Sequence, residues 1–166
     1  HHYTGPGPDF RIRPDFFARV DELVDAGLKD GLAVMINIHH FDDFTGDPRG
    51  QTPKFLALWE QIAAHYARAP EGLAFELLNE PKDAATTEVV NPIFAEAIRH
   101  IRKIDPHRTI FVGPGRWNGV DELNRLRLPD DDPNLIVTAH SYDPFPFTHQ
   151  GATWSGPDKK ITGILF

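Results

Sequence analysis

The sequence contains no cysteine, which excludes disulfide bonds, thiolate nucleophiles and cysteine-based zinc sites. That absence does not speak against secretion. Basic residues are the minority, 17 Lys and Arg against 24 Asp and Glu, for a formal net charge of −7. With no basic patch to neutralise phosphates, no nucleic-acid partner is expected. No apolar run approaches the ~20 residues that span a bilayer, so no membrane partner is expected either. No charged start, apolar stretch and cleavage site open the chain, so no signal peptide is visible. Internal repeats are absent as well. What is present is a globular composition, 40% hydrophobic and 25% charged. The length, 166 residues, suffices for one domain with a real core. Two counts stand out: 15 prolines, which suggest short stiff loops, and 9 histidines, which suggest polar sites.

Apolar spacing divides the chain into alternating elements. His1 to Asp9 reads as a Gly/Pro-rich loop. Pro14 to Lys29 carries Phe16, Phe17, Val20, Leu23, Val24 and Leu28 at helical spacing, with Pro14 suited to the first turn. Leu32 to Ile38 is an apolar run fit for a strand buried on both faces, and it ends in His39 and His40. After a loop from Phe41 to Gln51, Thr52 can cap a helix with Pro53 at its first position. Leu73 to Leu78 predicts a second buried strand, ending in Asn79-Glu80-Pro81. A helix is expected over Pro92–Ile104, a strand over Thr109–Val112, a short helix around Val120–Leu126 and a strand over Leu135–Ala139. Asp143 to Phe166 reads as a long loop rich in aromatics and glycine.

Helices alternating with strands predict an α/β fold with a parallel sheet. An open doubly wound sheet would advertise a glycine-rich phosphate loop, and Gly113-Pro114-Gly115 does not match one. A TIM barrel instead gathers its chemistry at the C-terminal ends of several strands. Here every expected strand ends in polar or aromatic residues, whereas Asp30-Gly31, Pro70-Glu71-Gly72 and Asp105-Pro106-His107 look like plain connectors. His140 follows Glu80 by 60 residues across two units, or 30 per unit. A barrel of about 250 residues has about 31 per unit. The expected fold is therefore a (β/α)8 barrel of which this chain holds only about five units.

The strand ends carry the candidate chemistry. Glu80 closes a buried strand beside an amide and before a proline; burial would raise its pKa, which suits a general acid. The plain alternative is a helix N-terminal glutamate. His39 and His40, adjacent on a strand, should point to opposite faces, so one of them is expected to be a packing residue and joint chelation is disfavoured. His140 and Tyr142 share a face and could orient a carboxylate or a sugar hydroxyl, or form a structural pair. Trp117 and Trp154 could stack on sugar rings or anchor loops in the core. No role follows from spacing for His149.

Three segments carry a resemblance: Ile36-Asn37-Ile38-His39-His40, Phe75-Glu76-Leu77-Leu78-Asn79-Glu80-Pro81, and His140-Ser141-Tyr142. They resemble glycoside hydrolase family 5, the cellulase and mannanase family of clan A, and the likeness runs to about Trp154. The stretch from His140 to Trp154 is similar to that of bacterial endoglucanases and mannanases. The resemblance implies a retaining mechanism with Glu80 as acid/base and Asn79 on the sugar 2-hydroxyl. His39, His140 and Tyr142 would match family positions after the third and sixth strands. His40, Trp117, His149 and Trp154 would be substrate-binding or supporting residues. The four strands would be the third to sixth of eight. The family's second-strand arginine, seventh-strand nucleophilic glutamate and eighth-strand tryptophan have no match here.

These readings lead to expectations. The chain is a single, incomplete family 5 catalytic domain over residues 1–166. The whole enzyme is an endo-β-1,4-glucanase or mannanase acting on β-glucan or mannan. It needs no metal or organic cofactor, is monomeric once complete, and is extracellular or periplasmic because its polymer is. A longer polypeptide or another segment is expected to complete the barrel, since exposed sheet edges invite aggregation. The fragment alone is expected to be inactive. Two alternatives remain at this level: a metal-dependent barrel hydrolase using His39, His140 and a carboxylate, or a carbohydrate-binding remnant without catalysis.

Overall fold

The computed structural model describes residues 4–154 and 162–165. Residues 1–3 of the expected N-terminal loop, and residues 155–161 and 166 of the expected aromatic loop, lie outside the described residues. The major elements follow in order as α1 (Pro14–Lys29), β1 (Val34–Asn37), α2 (Asp42–Gly46), α3 (Pro48–His65), β2 (Leu73–Glu76), α4 (Thr87–Ile104), β3 (Ile110–Val112) and β4 (Leu135–Val137). A one-turn element, Gly115–Asn118, and a 3-10 helix, Val120–Arg125, lie between β3 and β4. A short helix, Phe145–Thr148, interrupts the loop expected after Asp143.

The four strands are parallel and lie in the order β1-β2-β3-β4. Spatial order equals chain order, so every crossover advances in one direction. Among the described strands there is no topological switch point, and right-handed crossovers then collect the helices on one face. This is the winding of a (β/α) barrel segment. Alternation along β2 separates the two faces. The Phe75 ring lies 5.4 Å from Trp59 of α3 and so faces the helices. Glu76 faces the other way, where its Oε2 accepts a hydrogen bond from Asn37 Nδ2 at 2.6 Å.

The core sits between sheet and helices. Phe41, Phe44, Phe55 and Phe94 stack through it in a row of tilted rings. Burying side chains of this size is the main stabilising contribution, each worth about 1.5–3 kcal/mol. In α4 the buried residues Thr87, Val90, Ile93, Phe94, Ala97, Ile98 and Ile101 recur at helical spacing. The indole of Trp59 donates to the Leu77 carbonyl at 3.1 Å and so fastens α3 to the end of β2.

Several expectations need correction. Helix α3 starts at Pro48, capped by Asp47, whose side chain accepts from the Gly50 amide, and not at Pro53. Thr52 lies inside it and bonds back to the Pro48 carbonyl. Helix α4 likewise starts at Thr87, well before Pro92. Each internal proline is the sixth residue of its helix, so the missing N–H removes one early hydrogen bond and the helix continues. The expected strand 32–38 is not buried on both faces: β1 is an edge, with Leu32 63% and Met35 48% exposed. Val120–Arg125 is a 3-10 helix.

The N-terminal ends of the strands are closed by Arg108. Its buried guanidinium donates to the Asp105 carboxylate and to the carbonyls of Pro70, Leu73, Tyr66 and Ala69. Arg108→Met keeps the bulk and leaves those acceptors unpaired. Urea unfolding should show a loss of about 3–5 kcal/mol; an unchanged midpoint would contradict this role.

Candidate active site

All four strands end on the same rim, and backbone hydrogen bonds stitch that rim together. The Asn79 amide donates to the Ile38 carbonyl at 3.0 Å, joining the ends of β2 and β1. The Trp117 amide donates to the Pro81 carbonyl at 3.0 Å, and the His140 amide to the Asn118 carbonyl at 2.8 Å. The segment after β3 is thus tied to the ends of both its neighbours. It is also tightly wound. Arg116, Trp117 and Asn118 have φ of 51°, 58° and 56°, the left-handed region that costs non-glycine residues energy. Contacts hold it there. The Gly115 amide donates to Thr87 Oγ1, whose hydroxyl donates to Glu122 Oε2 at 2.6 Å. A Cβ on Gly115 would come within 2.7 Å of the Thr87 backbone nitrogen, so only glycine fits.

Glu80 itself has φ of 49°, which turns its side chain out of the strand line. One oxygen, Oε1, accepts from both His140 Nδ1 at 2.8 Å and the Tyr142 hydroxyl at 2.6 Å. Burial opposes the charge of this carboxylate most strongly. The hydrogen bonds from Tyr142 and His140, with the positive charge of His140 and His39 when protonated, outweigh it and hold the carboxyl below its usual range. The expectation that burial raises its pKa is therefore corrected. The same contact pushes the Tyr142 phenol up, because its hydrogen is held by the Glu80 carboxylate.

His39 and His40 lie beyond the last residue of β1, and the strand rule of opposite faces does not govern them. His40 has φ of 28°, both residues are exposed, and their rings meet edge to face 4.2 Å apart. Asn79 is half-buried beside Glu80. Trp117 is half-exposed and lines a cavity of about 210 Å³ with His140, Ser141 and Tyr142. His149 is buried: it stacks on Phe145 at 3.9 Å and meets the rings of Tyr142 and Trp154 edge-on at 5.0 Å. It braces Tyr142 from behind, while Trp154 is 73% exposed. Among the described residues no three His, Asp or Glu side chains gather as a metal-binding group. No described helix is long and apolar enough to cross a membrane. Asn118 and the Thr87–Glu122 pair went unnoticed in the sequence, since neither lies in a motif and both act through loop geometry.

A family model described as cellulase, glycosyl hydrolase family 5, matches residues 1–163. The chain belongs to glycosyl hydrolase family 5. Within the family it is 38% identical to endoglucanase H of Acetivibrio thermocellus over 93% of this chain and 17% of that protein. Cellodextrinase A of Ruminococcus flavefaciens is 36% identical over 90% of this chain and 47% of that protein. The structure of Thermotoga maritima Cel5A in complex with cellobiose superimposes with a TM-score of 0.94 at 44% identity, over 99% of this chain and 53% of that one. The chain therefore spans between 17% and 53% of the length of these family 5 relatives. The likeness confirms a partial (β/α) barrel.

The lowered pKa gives a signed pH dependence. Ionised Glu80 adds stability above the ordinary carboxylate range of about 4.3, and that contribution fades as pH falls through its lower folded value. A carbon-13 NMR titration of the Glu80 carboxyl should have its midpoint below that of an ordinary glutamate, and Tyr142→Phe should raise it. A midpoint unmoved by Tyr142→Phe would contradict the assigned contact.

Proposed function

We propose that this chain supplies the acid/base half of a retaining glycosidase acting on β-1,4-linked gluco- or manno-polysaccharide. The observation that carries the reading is the shared oxygen of Glu80, held by His140 and Tyr142 on the C-terminal rim of a family 5 barrel segment. In the reaction Glu80 protonates the departing glycosidic oxygen. A nucleophilic carboxylate, supplied by a segment outside this chain, takes the anomeric carbon. Glu80 then removes a proton from water, which releases the sugar.

The low pKa of Glu80 is consistent with this division of the site. The groups that act on its charge are Tyr142, His140 and His39, and none is a carboxylate. Retention requires a second carboxylate about 5–5.5 Å away. Its negative charge would raise Glu80 toward neutrality, and charge neutralisation in the glycosyl intermediate would lower it again. Glu80 could then act first as acid and later as base.

The relatives and the rim support this substrate class. Structures of the Thermotoga maritima enzyme are described in complex with cellobiose and with mannotriose. Trp117 and Trp154, both well exposed, offer flat faces to pyranose rings. A polymeric substrate places the working enzyme outside the cytoplasm. The family match and the relatives named as endoglucanases favour glycoside hydrolysis over the metal-dependent and purely carbohydrate-binding alternatives.

The test uses this chain joined to the remaining half of a family 5 barrel. Glu80→Gln should lower hydrolysis of cellotetraose by about 10²–10⁴-fold. It should lower kcat/KM for an aryl cellobioside with an acidic phenol leaving group far less, because that group departs without a proton and kcat/KM reports the step before water enters. Equal losses on both substrates would overturn the acid role.

A further inference from the structure

Asn118 is fully buried, yet nothing in the reaction above uses it. Its Nδ2 lies 3.3 Å from His140 Nε2, and the opposite ring nitrogen, Nδ1, lies 2.8 Å from Glu80 Oε1. Three groups thus stand in line: amide, imidazole, carboxylate. The amide is packed into place. A Cβ on Gly113 would come within 2.5–2.7 Å of the terminal atoms of Asn118, so a glycine at 113 makes room for it. The left-handed φ of 56° aims the side chain under His140, and the Asn118 carbonyl accepts the His140 amide at 2.8 Å.

We propose that Asn118 is a positioning residue that holds His140 as the neutral Nδ1–H tautomer and aims that hydrogen at Glu80. A carboxylate oxygen only accepts, so Nδ1 must carry a hydrogen while Glu80 is ionised. Nε2 then meets the amide in one of two ways. If the amide presents NH2, Nε2 is a lone-pair acceptor and the ring is neutral. If it presents oxygen, Nε2 carries a hydrogen and the ring is an imidazolium. Asn118 Oδ1 is buried without a partner among the described residues. Turning the amide over would bury two unpaired N–H hydrogens there instead. An under-satisfied carbonyl is tolerated better than an orphaned N–H, so the NH2 group faces His140.

The consequence, which rests on the glycosidase reading, concerns proton transfer. A neutral His140 orients Glu80 at working pH without a fixed positive charge beside it. Glu80 can then take up a proton that an imidazolium would repel. Other ionisable groups face this site. Tyr142 bonds the same Glu80 oxygen, and Arg116, Asp121, Glu122 and Asp143 line the cavity that His140 borders.

Long-range proton–nitrogen NMR on the full chain, without substrate, reads the tautomer directly. At pH 7.5 His140 should show a protonated Nδ1 and a bare Nε2. An Nε2–H tautomer, or an imidazolium, would overturn the proposal. In Asn118→Asp the new carboxylate favours the imidazolium, so the His140 midpoint should rise by more than about one pH unit and the Glu80 midpoint should fall. A folded Asn118→Asp with both midpoints unmoved would also overturn it. If that variant does not fold, the wild-type tautomer decides alone. Failure of the glycosidase reading shows separately, as equal losses on the two leaving groups with the tautomer intact.

Discussion

Glu80 Oε1 accepts two hydrogen bonds from residues that are not on a neighbouring strand. Glu80 follows β2, whereas His140 and Tyr142 follow β4, and β3 runs between them. For the three side chains to meet, the sheet must bring the ends of β2 and β4 over the end of β3, and the segment leaving β3 must stay clear. The left-handed turn Arg116–Asn118 satisfies the second condition. It hydrogen-bonds to Pro81 on one side and His140 on the other, and places Asn118 beneath the imidazole while Trp117 stays at the surface. The strain of three consecutive positive φ values is held by Thr87, Glu122 and the absence of a side chain at Gly115.

The electrostatics of the rim follow from that meeting. Burial alone would favour a protonated Glu80, but two donors on one oxygen reverse the sign. In the proposed reaction, a second carboxylate is the element that moves the proton affinity up. The chain's own contribution is orientation: His140 and Tyr142 both occupy one oxygen of Glu80. Support for this arrangement extends outward. His149, braced by Phe145, backs Tyr142, and Trp59 holds the strand that leads to Glu80.

Much of this was legible in the chain. Apolar spacing marked α1 to the residue, and the strand cores over 34–37, 73–76, 110–112 and 135–137 fall inside the expected runs. The polar strand ends pointed to Glu80, His140 and Tyr142, which the fold brings together. Proline misled twice. Pro14 does open its helix, but Pro53 and Pro92 lie five residues in, where the first turn has few internal bonds to lose. The apolar run at 32–38 signalled a strand buried on both faces, and its exposure follows from its place as the first strand of this partial barrel. Strand geometry, which would set His39 and His40 on opposite faces, ends at Asn37. Asn118 was invisible for a similar reason: its role depends on a left-handed turn and on a glycine five residues earlier, neither of which spacing reveals.

The central claim is that Glu80 and Tyr142 are energetically coupled through one shared oxygen. A double-mutant cycle of Glu80→Gln and Tyr142→Phe, read as unfolding free energy in urea at pH 7, measures that coupling. The account predicts an interaction energy above about 0.5 kcal/mol, favouring the native pair. Additive effects, with a coupling near zero, would contradict it.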